Sequence, residues 1–315
     1  MWISVLENLR FITRILLKGR EVLSRILISM KFLAKLALCF LPFLACYAGH
    51  YEDLLKKAQS GDAAAQNELG EYLASGGHGE IQVNHEYAAI WWQEAIKNGS
   101  IRALTNYGCA LYVGSGVPRN EPQAITYWTE AAKRGDPEAQ YFLGSAYCNG
   151  LGVMRDYPTA VFWWDRSAKQ GNHRAQNNLA FAYAKGQGVD KDLKKAFSLW
   201  KESAESGNLV AQNYLGLCYF TGDGVEKDEV KAVAIWTNAA ENGNVEALRH
   251  LGICYSTGKG ISKDMNKAFA CFSKAARAGD KEAAKYAEEL RIDLTSPSSD
   301  TAKQKEQEVA PAKKN

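Results

Sequence analysis

At 315 residues, with 46% hydrophobic and 23% charged side chains and only seven prolines, the chain has the composition of a folded protein that favours helix over sheet. Its formal charge of +3 resides at the N-terminus: residues 1–48 hold seven of the 38 basic and two of the 35 acidic side chains, which leaves 31 basic against 33 acidic, a net of −2, for residues 49–315. That balance excludes an electrostatic footprint for nucleic acid.

Residues 1–29 form a basic amphipathic extension in which Phe11, Ile12, Ile15, Leu16 and Leu17 alternate with Arg and Lys. Met30 opens a second segment, residues 30–48. Lys31 and Lys35 supply a short positive start, Leu36 to Leu44 an apolar run, and Cys46-Tyr47-Ala48 small residues around a cut before Gly49, the anatomy of a secretory signal peptide. The 13 apolar-rich residues from Leu36 to Ala48 fall short of the roughly 20 a spanning helix needs. Export to the periplasm or the medium is therefore expected, without a permanent membrane span. Three rivals stay open: an uncleaved leader acting as an anchor, acylation at Cys46, and an organelle transit peptide, against which Glu7 and Glu21 count.

From about residue 51 to 290 the chain repeats itself every 36 residues. Ala103, Ala139, Ala175, Ala211, Ala247 and Ala283 form one column. Ala88, Ala124, Ala160, Ala196, Ala232 and Ala268 form a second, and Trp92, Trp128, Trp164, Trp200, Trp236 and Phe272 a third. Each unit reads as two helices. Helix A starts after Asp62, Ser100, Asp136, Asn172, Asn208, Asn244 or Asp280, side chains able to accept hydrogen bonds from the free N–H groups of a first turn. Glycine pairs such as Gly222 and Gly224 end it. A branched residue follows (Val117, Val153, Val189, Val225 or Ile261) and is expected to plug the turn into the core. Helix B opens at Asn84, Asn120, Asp156, Asp192, Asp228 or Asp264 and carries an apolar face, for example Ala232, Trp236, Ala239, Ala240 and Gly243. Such a hairpin cannot bury its face alone, so the expected fold class is all-α, an α/α solenoid of stacked 36-residue helix-turn-helix repeats, about six and a half of them.

The pattern Ala-x-x-x-Leu-Gly-x-x-Tyr, Gly-x-Gly-Val, Asp-x-x-x-Ala, Trp, Ala-Ala-x-x-Gly, complete in residues 209–244, resembles the Sel1-like repeat, a relative of the tetratricopeptide repeat. The resemblance implies a right-handed superhelix that presents a curved surface to partner proteins, in a family with exported bacterial members and no common chemistry. Repeat one departs from the pattern: Ser75 to Gln82 replaces the glycine turn and adds two residues. Ala180 replaces the helix A glycine, and Phe272 the last Trp. Residues 293–315, rich in Ser, Lys, Gln and Glu, read as a disordered polar tail.

No constellation points to catalysis, a cofactor or a metal. Cys109, Cys148, Cys218, Cys254 and Cys271 include no Cys-x-x-Cys pair, although Cys254 and Cys271 share one repeat and either stay as buried thiols or bridge. The five histidines are scattered; His78 and His85 flank the repeat-one insertion and read as loop residues rather than ligands. The Trp91-Trp92 and Trp163-Trp164 doublets read as packing before a sugar-binding platform.

Internal repeats also show which columns are free to vary. Two, six and nine residues after the helix A alanine lie Thr105, Tyr141, Asn177, Asn213 and Arg249; then Cys109, Ser145, Phe181, Leu217 and Ile253; then Tyr112, Cys148, Ala184, Phe220 and Ser256. These positions share the side of helix A opposite the invariant residues. Tyr112, Tyr141, Asn177, Phe181, Asn213, Leu217, Phe220, Arg249 and Ile253 are the candidate contacts for a protein or peptide partner, unless neighbouring helices cover them. The reading is a non-enzymatic, monomeric binding scaffold. Its rivals are a hydrolase of cell-wall or β-lactam substrates, which no residue constellation supports, and a structural part of an envelope complex.

Overall fold

The structure, a computed structural model, describes residues 50–77 and 81–295. The leader assignments, His78 and the tail beyond Thr295 lie outside them. A first helical segment, α1, covers residues 50–59. It is followed by α2 Ala63–Ser75, α3 His85–Lys97, α4 Ile101–Val113, α5 Glu121–Lys133, α6 Pro137–Asn149, α7 Tyr157–Lys169, α8 His173–Lys185, α9 Leu193–Glu205, α10 Leu209–Thr221, α11 Glu229–Glu241, α12 Val245–Thr257, α13 Met265–Arg277 and α14 Lys281–Thr295. No strand occurs among the described residues. These residues form two compact units that divide between Arg119 and Asn120. Within each, helices pack chiefly on their chain neighbours, as expected of an all-α solenoid. The last helix runs on to Thr295, so its end takes in the first residues assigned to the tail.

Helices α2 to α13 are all 13 residues long because the same punctuation brackets each of them. In α10 the Asn208 side chain accepts from Ala211 N–H at 3.0 Å, and Gly222 takes the left-handed conformation at φ 88° and returns its N–H to Cys218 O. The B helices start likewise, with Asp228 accepting from Lys231 N–H at 2.9 Å. Each of the predicted caps from Asp62 to Asp280 accepts such a bond, at the A and the B helices alike.

All twelve alanines of the two columns are completely buried, at 0% exposure, so the helices meet where no larger side chain would fit. The third column fills the space around them, from Trp236 at 1% to Trp92 at 8% exposure. Helix A glycines lie against it: a Cβ on Gly144 would come within 2.6 Å of Trp164, and one on Gly252 equally close to Phe272. Of the branched residues after the glycine pairs, Val189, Val225 and Ile261 pack against the core as expected, while staying half-buried.

Candidate partner-binding surface

The three candidate columns fare differently. The first is largely consumed by packing between repeats. Thr105, Asn177 and Asn213 are buried, at 2%, 9% and 3% exposure. Asn213 donates from Nδ2 to Glu246 Oε2 at 2.9 Å, and its main-chain oxygen accepts from Trp236 Nε1 at 3.0 Å. The Oδ1 atoms of Asn177 and Asn213 are buried without a hydrogen-bond partner. Arg249 is engaged as well: Nε pairs with Asp280 at 2.8 Å and Nη1 with Glu282 at 2.9 Å, tying α12 to the start of α14. Tyr141 is half-buried, with the Arg174 guanidinium 4.6 Å from its ring centroid. Arg174 in turn pairs with Glu138.

The other two columns stay at the surface in part. Phe181, Leu217, Ile253 and Phe220 are half-buried and pack against the larger unit's core. Phe181 sets its edge against Trp200 and Tyr214, with centroids 5.4 and 4.5 Å away, and Phe220 lies 5.5 Å from Trp236. Lysines stand over the same rings, Lys185 at 5.9 Å from Phe181 and Lys259 at 5.6 Å from Phe220. In the smaller unit Tyr112 is half-buried and carries Arg119 at 5.9 Å. The surface that remains is thus a row of apolar side chains flanked by cations.

Two columns escaped the sequence reading. Three residues after the helix A alanine stand Phe142, Tyr214, His250 and Tyr286, and each stacks on the aromatic residue of the preceding helix B, with centroids 5.1, 5.2, 4.7 and 5.0 Å from Trp128, Trp200, Trp236 and Phe272. A column mixing Phe, Tyr and His looks variable, but the shared flat ring was the available signal. One residue after the alanine, Gln66, Gln140 and Gln212 donate Nε2–H to the carbonyls of Ala58, Ala132 and Ala204 at 2.9, 3.1 and 3.4 Å. They satisfy the open C-terminal end of the helix before.

The tryptophan doublets divide their roles. Trp92 and Trp164 are core, whereas Trp163 is half-buried beside Phe162 and Trp91 lines a cavity of about 530 Å³ with Tyr51, Leu55, Ile81, Tyr87 and Ile90 in the smaller unit. All five cysteines from Cys109 to Cys271 are free thiols. Burial pushes Cys218 up to about 12 and Cys254 up to about 11, so neither is a ready nucleophile. Among the described residues there is no cluster of three or more metal-ligating side chains, and no helix is long and apolar enough to cross a membrane.

The Sel1 repeat profile matches six consecutive stretches, residues 63–100, 101–136, 137–172, 173–208, 209–244 and 245–280. The first is 38 residues long, consistent with the two-residue insertion. No curated protein matches the sequence. Among solved structures the chain is similar to c5321, a protective antigen of uropathogenic Escherichia coli strains with the same repeat fold, at 31% identity and a TM-score of 0.70 over 79% of this chain. The chain spans 53% of that protein's length. It is also similar to a Sel1 repeat protein from Oxalobacter formigenes, at 29% identity and a TM-score of 0.60, over 68% of this chain and 84% of that one. Six matched repeats and the shared helical hairpin place the chain in the Sel1 repeat family.

Proposed function

We propose that the chain is a non-enzymatic scaffold of the cell envelope or the secreted fraction that holds a protein or peptide partner on the helix A side of its repeats. Sel1 repeat proteins are generally protein-interaction scaffolds. The observation that carries the reading is the row formed by Tyr141, Phe181, Leu217, Phe220 and Ile253, apolar and half-exposed where the alanine and tryptophan columns are buried. Clustered aromatic and aliphatic side chains with cations at the edge suit a partner segment that is apolar and acidic. Asn177, Asn213 and Arg249 support that surface from beneath or from the side. The leader-like residues 30–48 support export, as does the likeness to a protein described as a protective antigen.

The test is affinity capture with the tagged full chain from the cells that make it, against a Leu217→Gln, Ile253→Gln variant whose helical content and melting are first shown to be native-like. A protein held by the parent and lost by the variant supports the reading. Equal retention by both puts the contact elsewhere, and turnover of a cell-wall or β-lactam substrate by the purified chain overturns it. Fractionation with N-terminal sequencing checks export: a processed chain starting at Gly49 outside the cytoplasm is expected.

A further inference from the structure

The stacked-ring column is broken once in the larger unit. Phe142, Tyr214, His250 and Tyr286 each cover the helix B aromatic before them at 4.7 to 5.2 Å, but opposite Trp164 stands Asn178. A cavity of about 240 Å³ opens at that junction, lined by Cys148, Tyr157, Trp164, Asn178, Phe181 and Lys185 among others. Asn178 is half-buried, and its amide has no hydrogen-bond partner among the described residues. The space is smaller than the roughly 300–1,000 Å³ typical of small-molecule and cofactor sites, and it suits a single inserted side chain.

The chain itself shows what fits there, since four junctions of the same design hold a flat ring. Polarity narrows the choice. No carboxylate lines the cavity, while Lys185 does. Burial raises the pKa of the Cys148 thiol on its wall, and the charges of Arg155 and Lys185 act against that rise, so two cations face this end of the repeat.

We infer that this cavity receives an aromatic side chain of a partner protein, with an adjacent carboxylate of that partner paired to Lys185. The inference rests on the scaffold reading and gives its partner a chemistry: an acidic segment with one aromatic anchor. An aromatic anchor seated in a surface pocket is a common source of affinity at an interface, and the rim charge contributes selectivity.

The test uses the full chain with ¹⁵N-labelled tryptophan and two capped tripeptides as probes, Asp-Phe-Asp and Lys-Phe-Lys, read by the indole N–H resonance of Trp164. Asp-Phe-Asp is expected to shift that resonance saturably. Lys-Phe-Lys, and Asp-Phe-Asp on Lys185→Gln, should bind about fivefold more weakly, the scale of one exposed charge pair. Asn178→Tyr, which supplies the ring that Tyr214 supplies one repeat later, should melt no lower than the parent and abolish the shift. An unmoved Trp164 resonance, or the same shift in folded Asn178→Tyr, overturns the inference. The two readings fail separately. A captured partner that Asn178→Tyr retains in full sinks the pocket and leaves the scaffold, whereas peptide binding by a chain that captures no protein sinks the scaffold and leaves the pocket.

Discussion

A Cβ on Gly216 would come within 2.5 Å of Trp236 Nε1, the atom whose hydrogen is donated to Asn213 O at 3.0 Å. The helix A glycine is therefore the room that the helix B indole occupies, and Trp236, at 1% exposure, has nowhere to retreat. Ala180 stands at the equivalent position in the repeat that holds Trp200, and the Trp200 Nε1–H is buried without a partner. Trp92, which faces Gly70, also lacks one, so the glycine admits the indole without guaranteeing the bond.

Gly216→Ala tests this packing. Alanine gains about 1 kcal/mol of helix propensity, but overpacking costs about 1–3 kcal/mol and the lost buried hydrogen bond about 1 kcal/mol. A net loss of about 1–3 kcal/mol is expected in denaturant melts, with a shifted Trp236 indole N–H resonance. An unchanged midpoint would show that the indole can move aside at no cost.

The two glycines of one turn should differ. Gly222 at φ 88° has its nearest neighbour, Lys227 Cβ, at 3.4 Å, so Gly222→Ala costs only the left-handed backbone, about 1–2 kcal/mol. Gly224 at φ 75° is also left-handed, and a Cβ there would collide with the main chain of Leu193. Gly224→Ala should therefore lose clearly more than Gly222→Ala. Equal losses in parallel urea titrations would mean that the turn simply lifts away from α9.

His250 makes the larger unit sensitive to acid. Burial, followed by the charge of Arg249, lowers its pKa to about 4 despite the opposing pull of Asp280, while its ring stacks on Trp236. A depressed folded-state value means that the neutral ring is the form the fold holds. Its contribution is complete above the unfolded value near 6.5 and is lost as pH falls from there towards 4, up to about 3 kcal/mol. His250→Tyr keeps a ring in the column, as Tyr214 and Tyr286 do, and should flatten the stability profile between pH 6.5 and 4. A profile with the parent's slope would assign the acid sensitivity to other groups.

Arg249 should behave as a brace. Arg249→Ala removes the links from α12 to Asp280, which also caps α14, and to Glu282. Hydrogen exchange in α14 should then speed up about five- to tenfold, the scale of about 1 kcal/mol for a charge-assisted contact. Unchanged exchange in α14 would return Arg249 to the list of free contact residues.

The sequence by itself determined the period, the hairpin and the helix ends. Asn208, Gly222 and Asp228 act through groups within a few residues of themselves, and Ala211, Ala232 and Trp236 recur often enough to reveal the buried face. Only the tertiary structure decided what lies between repeats. A helical wheel places Asn213 and Arg249 on the free side of their helices, but the following repeat covers the first, through Glu246, and puts Asp280 beside the second. The same stacking of repeats sets His250 on Trp236 and leaves Asn178 beside the open space at Trp164. Those contacts depend on how one repeat sits on another, a relation between residues far apart in the chain that no single-helix periodicity encodes.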